Sequence, residues 1–271
     1  MSLTTPNRVP KREEYRPWIV RFLPNATARL RLFCFPYAGV GVSAYFPWVQ
    51  GLPRTIELLG VQLPGREQRI RERPFDRLSA IVPVAADAIR RHLEEPYALF
   101  GYSMGALIAF EVTRYLRAEG CPGPVHLFAA ARRAPHRPDR LPKIHDLPEP
   151  ELIEELRRRW GDGIPSAVLR EPELLQLLLP GLRADLAVIE TYRHIEGERL
   201  ECPISVFGGE DDKTLSRDDV QAWEELTNGP FRLRMFPGNH FFIRSRYLEV
   251  LQAVLEDLLP IVGGRQGAVP C

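Results

Sequence analysis

The sequence feature that most constrains the fold of this chain is a short serine turn bounded by glycines, Gly-Tyr-Ser-Met-Gly at residues 101–105. An apolar run at residues 97–100 precedes the turn, and a run of helix-forming residues follows it. Two glycines permit a sharp strand-to-helix turn in which the backbone passes close to neighbouring segments and leaves no room for a Cβ atom. Such a turn exposes the serine oxygen at the end of a strand. We therefore predict that Ser103 is a nucleophile; a purely structural turn is the alternative.

Six short apolar runs bounded by turn residues divide the chain. They are typical of buried parallel strands and lie at residues 30–35, 56–63, 97–101, 125–130, 204–207 and 231–236. Helix-like stretches at residues 78–93 and 104–118 separate several of these runs, and this alternation predicts a doubly wound, mostly parallel α/β sheet. The chain has 271 residues, of which 45% are hydrophobic, so it can bury one large core. We expect a single domain over residues 1–271.

The alternation of strands and helices stops between about residues 136 and 196. Two amphipathic segments, at residues 149–160 and 171–179, follow each other here without a strand between them. Their apolar residues recur at helical spacing, and prolines at positions 148, 165, 172 and 180 punctuate them. We predict a helical insertion, which is either an ordinary packed hairpin or a lid over the active site.

A serine nucleophile needs a histidine base and a carboxylate that orients this base. In the chain order typical of this kind of sheet, the acid and then the histidine follow the serine. A loop with Glu210, Asp211 and Asp212 follows the fifth apolar run, and His240 follows the sixth run through a Pro-Gly turn. Catalytic side chains of open α/β sheets collect at such strand ends. The three adjacent carboxylates cannot all face the histidine. We favour Asp212 as the acid and His240 as the base, with a structural histidine as the alternative.

Two backbone amides are expected to bind the oxyanion of the reaction. The amide of Met104, directly after Ser103, is the first expected donor. The loop Phe-Pro-Tyr-Ala-Gly-Val-Gly at residues 35–41 follows the first predicted strand, and its small residues allow a substrate carbonyl to approach the backbone. We predict the amide of Ala38 as the second donor; a simple glycine turn is the alternative. The whole arrangement predicts a serine hydrolase with the α/β-hydrolase fold.

Charge and apolar patterning argue against several other classes of protein. Lys and Arg number 36 against 35 Asp and Glu, so no global field attracts nucleic acid or an anionic membrane. The polar N-terminal segment lacks the apolar core of a signal peptide and no apolar run has membrane-spanning length, so we expect a cytoplasmic protein. The four cysteines are widely spaced, which argues against a zinc site or a disulfide framework. We expect neither a metal nor another cofactor.

Several ordered motifs resemble those of the type II thioesterases, the stand-alone editing enzymes of modular polyketide and nonribosomal peptide synthases. They cover nearly the whole chain and comprise FPYAG at 35–39, VQLPGRE at 61–67, GYSMGA at 101–106, RRAP at 132–135, PELLQLLLPGLRADLAVIETY at 172–192, FGGEDD at 207–212 and FPGNHFF at 236–242. The resemblance implies the same site residues: Ser103, Asp212 and His240 as the triad, and the amides of Ala38 and Met104 as oxyanion donors. It also implies that residues 147–192 form a flexible helical lid.

This chain departs from the pattern of the family at two places. Tyr37 and Tyr102 stand where many relatives have histidine, and Gly39-Val40 stands where a Gly-Gly pair is common. The departures leave the predicted triad intact. They concern the residues around it, and therefore the acyl chain that the site prefers.

The resemblance further implies a reaction and a partner. A monomer would hydrolyse an acyl thioester on the phosphopantetheine arm of an acyl or peptidyl carrier protein through an acyl-enzyme. The competing interpretations are an esterase or lipase, a terminal thioesterase that cyclises its product, and a binding protein that kept the fold without catalysis.

A basic cluster before the insertion is a candidate docking surface for an acidic carrier protein or for the phosphate of its arm; ordinary solvated surface is the alternative. The cluster comprises Arg132, Arg133, His136, Arg137, Arg140 and Lys143.

Overall fold

The computed structural model describes residues 18–161, residue 163 and residues 166–263. The ends of the predicted domain, Pro165 and Cys271 lie outside the described residues. The strands are β1 (Ile19–Arg21), β2 (Leu30–Phe35), β3 (Ile56–Val61), β4 (Tyr97–Tyr102), β5 (His126–Ala130), β6 (Ile204–Gly209) and β7 (Phe231–Phe236). The α-helices are α1 (Leu78–Arg90), α2 (Met104–Ala118), α3 (Glu149–Trp160), α4 (Ser166–Arg170), α5 (Pro172–Thr191), α6 (Arg217–Gln221), α7 (Phe242–Ser245) and α8 (Tyr247–Gly263). Short 3-10 helices cover Val42–Gly51, Glu67–Arg69 and Ala222–Leu226.

In the described part of the chain, the strands form one seven-stranded sheet in the order β1-β3-β2-β4-β5-β6-β7. β1 pairs antiparallel with β3, and the other neighbouring strands pair in parallel. The predicted mostly parallel, doubly wound sheet is therefore confirmed. All six predicted strands are present with small differences at their ends. The sequence analysis missed β1 because an edge strand of three residues is too short to show a hydrophobic period.

Both faces of the sheet are buried, which explains why its strands are continuous apolar runs. Alternate residues of β4 point to opposite sides: Leu99 packs with the residues of α1 and α2, whereas Phe100 packs with those of α8 and of the 3-10 helix Val42–Gly51. The sheet is thus the middle layer between two cores.

The topology places a crevice between β2 and β4. The chain runs from β2 outward to β3 and then returns past β2 to β4, so β2 and β4 are neighbours whose connections leave in opposite directions. Ligand sites of open α/β sheets form at such a switch point, at the carboxyl ends of the strands. Phe35 and Gly101 are partners in this pair, so the loop at 36–41 and the serine turn start side by side.

The described residues between β5 and β6 form three helices, α3, α4 and α5, and no strand. The bounds of α3 agree with the prediction, but α5 continues through Pro180 to Thr191, whereas the sequence indicated an end at residue 179. Proline inside a helix removes one amide donor and opposes the preceding turn. The second half of α5 buries Ala184 and Val188, and this burial offsets the cost of the proline.

Three further observations concern the described part of the chain. Cys34, Cys121 and Cys202 are free thiols. No helix in the described ranges is both long and apolar enough to span a membrane. Within the same ranges, no group of three or more histidine, cysteine or acidic side chains is arranged to hold a metal ion.

His126, at the start of β5, makes the stability of the fold sensitive to acid. Burial lowers the pKa of its imidazole from 6.5 to about 4; the charge of Asp257 opposes this shift and that of Arg232 adds to it. The unfolded chain therefore binds a proton that the folded chain does not, and stability falls as the pH drops from 6.5 towards 4. The shift corresponds to a loss on the order of 3 kcal/mol. Urea unfolding at about pH 7 and about pH 5 should show a lower midpoint at the acidic pH.

The variant His126→Asn provides the control for this acid sensitivity. It lacks the titrating imidazole, so the difference between its unfolding midpoints at the two pH values should shrink. The same pH dependence in wild type and variant would show that another group causes the effect.

Candidate active site

Ser103 occupies a strained turn between β4 and α2. Its backbone has φ 50° and ψ −111°, a combination that L residues rarely adopt. A Cβ atom at Gly101 would lie 2.3 Å from the carbonyl oxygen of Gly105, and one at Gly105 would lie 2.1 Å from that of Phe35. Close backbone approach therefore requires glycine at both positions of the serine turn, for the reason that the sequence suggested.

The loops after β6 and β7 bring the predicted acid and base together. The amide of Asp211 donates to the carbonyl oxygen of Gly238 at 2.9 Å, so the two loops are joined through their backbones. Glu210 and Asp211 are exposed, whereas Asp212 is buried and faces His240. The structure thus separates the three adjacent carboxylates: two lie in solvent and Asp212 lies beside the histidine.

Ser103, His240 and Asp212 form one hydrogen-bonded chain. The Nε2 atom of His240 lies 3.1 Å from Oγ of Ser103, and Nδ1 lies 2.6 Å from Oδ2 of Asp212. None of the three residues is more than 9% exposed. This geometry allows the imidazole to take a proton from the serine while the carboxylate orients the ring.

The second carboxylate oxygen of Asp212 is bound by Thr214. The amide and the hydroxyl of Thr214 donate to Oδ1 at 2.9 Å and 2.7 Å. Burial by itself raises the pKa of Asp212, but the hydrogen bond from His240, its charge and the two bonds from Thr214 outweigh burial and hold this pKa below its ordinary value. The carboxylate therefore stays ionised at neutral pH. Sequence reasoning did not identify Thr214; its only signal is its place two residues after an aspartate, where turns of this kind form.

A largely apolar cavity, partly open to solvent, lies over Ser103 and His240. Ala38 lines the same cavity as Ser103, and Met104 follows Ser103 as the first residue of α2. The insertion and the loop after β7 supply most of the apolar wall: Leu156, Trp160, Leu182, Leu186, Ile189 and Phe241. Such a wall suits the hydrocarbon part of an acyl group.

The two tyrosines that depart from the family pattern support the site. The hydroxyl of Tyr102 donates to the carbonyl oxygen of His240 at 2.6 Å, and burial raises the pKa of this phenol well above its ordinary value. Tyr37 lies against Tyr102, with 5.5 Å between the ring centroids, and its hydroxyl accepts a hydrogen bond from Nε of Arg244 at 3.1 Å. Tyr102 therefore holds the backbone of the predicted base, a role that the sequence did not reveal.

The predicted basic cluster divides into an inner part, an outer part and two residues, His136 and Arg137, that lie beside Glu225. The inner members are Arg132 and Arg133, whose side chains are nearly buried. Arg137 forms an ion pair with Glu225 at 2.6 Å. Arg140 and Lys143 are exposed and form the outer part. A protein partner would meet Arg140 and Lys143 before the buried arginines.

Comparison with known proteins identifies the family. The family model of the thioesterase domain matches residues 30–261. The chain belongs to the thioesterase domain family. This thioesterase is 41% identical to the gramicidin S biosynthesis protein GrsT of Aneurinibacillus migulanus, over 89% of this chain and 93% of GrsT. It is 34% identical to the thioesterase PikA5 of Streptomyces venezuelae, over 93% of this chain and 89% of PikA5.

A solved structure extends the comparison to the fold. The type II thioesterase BorB from the borrelidin biosynthetic cluster is 35% identical to this thioesterase and superposes with a TM-score of 0.81, covering 89% of this chain and 97% of BorB. The predicted α/β-hydrolase fold and the resemblance to type II thioesterases are thereby confirmed. This thioesterase is a hydrolase that acts on thioesters.

Proposed function

We propose that this thioesterase removes acyl groups from the phosphopantetheine arm of carrier proteins in polyketide or nonribosomal peptide synthesis. The observation that carries the proposal is the hydrogen-bonded chain of Ser103, His240 and Asp212 under an apolar cavity. The names of GrsT and BorB, which refer to gramicidin S and borrelidin biosynthesis, support the class of pathway. Free acid and an unloaded carrier arm are the products.

In the first half of the reaction, Nε2 of His240 takes the proton of Ser103 while Oγ attacks the thioester carbonyl. The amides of Ala38 and Met104 hold the oxyanion, and the positive end of α2 points towards it. The carbon–sulfur bond then breaks, and His240 returns its proton to the leaving sulfur. The acyl group remains on Ser103 and the carrier arm leaves as a thiol.

In the second half, His240 takes a proton from water, and the resulting hydroxide attacks the acyl-enzyme. The same amides hold the second oxyanion, and the bond between the acyl carbon and Oγ of Ser103 breaks as His240 gives the proton back to Oγ. Asp212 keeps the imidazole in the tautomer that presents Nε2 to the serine, and it stabilises the charged ring. The free acid then leaves.

The helical insertion acts as the lid of this site. Side chains of α3, such as Leu156 and Trp160, and of α5, such as Leu186, form the cavity wall opposite the sheet. A wall of helices that is connected through loops can move to admit the arm and then exclude bulk water from the acyl-enzyme.

Hydrolysis of acyl groups from a phosphopantetheinylated carrier protein tests the proposal. Acetyl, propionyl and longer acyl groups are loaded on the carrier, with a small soluble thioester and the matching oxygen ester as controls. Carrier thioesters should be cleaved faster than the oxygen ester, with the free acid as the product in mass spectrometry. Preferential ester cleavage would indicate an esterase, and a cyclised product would indicate a terminal thioesterase. No turnover, together with a serine that a fluorophosphonate does not label, would indicate a binding protein.

The outer part of the basic cluster is proposed as the docking surface for an acidic carrier protein. The double variant Arg140→Glu, Lys143→Glu reverses its charge. It should raise KM for the carrier-bound substrate by about tenfold at low salt, because charges at the edge of an interface act mainly on the rate at which the two proteins associate. KM for a small soluble thioester should stay unchanged. Steady-state kinetics with both substrates measure the difference.

Arg54→Glu is the matched control for docking, because Arg54 is exposed and precedes β3 at the opposite end of the sheet. It should change neither KM. If the double variant raises KM equally for both substrates, the docking surface lies elsewhere. High salt should reduce the effect of the double variant because exposed charges are screened.

A further inference from the structure

The loop that carries Ala38 and the start of the 3-10 helix Val42–Gly51 after it are held by side chains from two distant segments. The amides of Gly39, Val42 and Ser43 donate to side-chain oxygens at 2.7, 3.0 and 3.0 Å. The acceptors are, in this order, Asp185 of α5 and Gln62 and Glu67 of the segment after β3. Side chains that are distant in the sequence therefore help to fix the backbone of this segment.

Asp185 and Arg66 form a buried bidentate pair at the centre of this network. Nη1 of Arg66 lies 2.8 Å from Oδ2 of Asp185, and Nη2 lies 2.7 Å from Oδ1. Their side chains are only 6% and 1% exposed. Oδ2 also accepts the amide of Gly39, and Nη1 of Arg66 also donates to the carbonyl oxygen of Val40 at 3.3 Å. Both partners of the pair thus bind the loop directly.

The pair lies where the lid meets the oxyanion loop. Asp185 is on α5, between Leu182 and Leu186 of the cavity wall. A Cβ atom at Gly181 would lie 2.8 Å from the carbonyl oxygen of Gly65, so α5 packs directly on the segment that carries Arg66. A shift of α5 must therefore move the carboxylate that binds Gly39.

Stability alone is a weak reason for such a pair. Removing two charges from water costs about as much as their attraction returns, and apolar residues of similar volume often replace a buried pair without loss of stability. What apolar residues cannot supply is an acceptor for the amide of Gly39. This acceptor fixes the peptide next to Ala38, and so limits the backbone angles that direct the Ala38 amide.

We propose that Asp185 and Arg66 are positioning residues that hold the Ala38 amide at the oxyanion position. They also couple the position of this amide to the position of α5. The proposal rests on the proposed function, because it assigns these residues a part in the same acyl transfer. They touch neither the substrate nor the reacting atoms, and they act through the loop.

The double variant Arg66→Met, Asp185→Leu removes both charges at similar volume. For a carrier-bound and for a small soluble thioester, kcat should fall by about 10- to 100-fold while KM changes by less than about twofold, because the oxyanion exists only in the transition state. Complete loss of one donor costs roughly 10²- to 10³-fold, and a misdirected donor should cost less. The single variant Asp185→Asn leaves the guanidinium without its charge partner and should lower the melting temperature as well.

An alkyl trifluoromethyl ketone, which forms a tetrahedral adduct with the serine, distinguishes a positioning role of the two residues from a merely structural one. Its inhibition constant should rise in the double variant by the same factor as kcat/KM falls. Glu57→Gln is the matched control. Glu57 lies on β3, away from the site, and its buried carboxylate lies 2.6 Å from the guanidinium of Arg21. This control should lower the melting temperature and leave kcat unchanged.

A folded double variant with wild-type kcat and wild-type affinity for the ketone would overturn the proposal. A failure of this positioning role can be distinguished from a failure of the proposed function. If the wild type does not cleave carrier thioesters, the rate at which a fluorophosphonate labels Ser103 still compares the two proteins, because its phosphoryl oxygen occupies the oxyanion position. Equal labelling rates would then overturn the positioning role by themselves.

Discussion

Replacing Ser103 by alanine should lower kcat for an acyl thioester by about 10⁶-fold and leave the fold intact. The oxygen that the variant lacks lies 3.1 Å from Nε2 of His240 and is the atom that we propose to attack the carbonyl. Only binding and the oxyanion donors would then remain, and together they give a small residual rate. Single-turnover release of the free acid measures the loss, and thermal unfolding shows whether the variant is folded.

Ser205→Ala is the matched control for the nucleophile. Oγ of Ser205 is also close to a histidine and an aspartate: it lies 2.9 Å from Nε2 of His126 and 2.7 Å from Oδ2 of Asp257. This cluster lies at the amino end of β6, whereas the cavity lies at the carboxyl ends of the strands. The control should keep its kcat. Turnover that survives in Ser103→Ala, or that is lost in Ser205→Ala, would contradict the assignment.

Asp212→Asn should lower kcat by about 10⁴-fold with little change in KM. The carboxylate lies 2.6 Å from Nδ1 of His240 and accepts its proton in a hydrogen bond, so Nε2 is free to act as a base. An amide can place its NH₂ group against Nδ1 instead, and this favours the tautomer with the proton on Nε2. The ring then cannot take the proton of Ser103. Steady-state kinetics at neutral pH measure the effect.

The neighbouring variant Asp211→Asn tests which carboxylate acts. It makes the same chemical change one residue away, at an exposed side chain, and should leave kcat unchanged. Similar losses in both variants would indicate that the loop responds to its total charge. Retained activity in Asp212→Asn would exclude this residue as the acid.

The sequence alone determined the parts of this protein that depend on local geometry. A buried parallel strand needs a continuous apolar run, and a turn with close backbone contacts needs glycine, so the strands and the serine turn at residues 101–105 could be recognised one segment at a time. The order of the chain then placed Asp212 and His240 after later strands. Motifs at characteristic spacing identified the family for the same reason, since each motif is a local segment.

Only the tertiary structure decided how distant segments meet. The sequence already favoured Asp212 over Glu210 and Asp211, but it could not show which of these carboxylates faces His240. That depends on backbone hydrogen bonds between two loops. The continuation of α5 past its proline depends on what its second half buries. Arg66 and Asp185 are 119 residues apart, and no period or motif relates them. Their pairing follows from the packing of α5 on the loop after β3, which buries the two charges against each other. The sequence places Arg66 and Asp185 in two separate motifs and does not show that they meet.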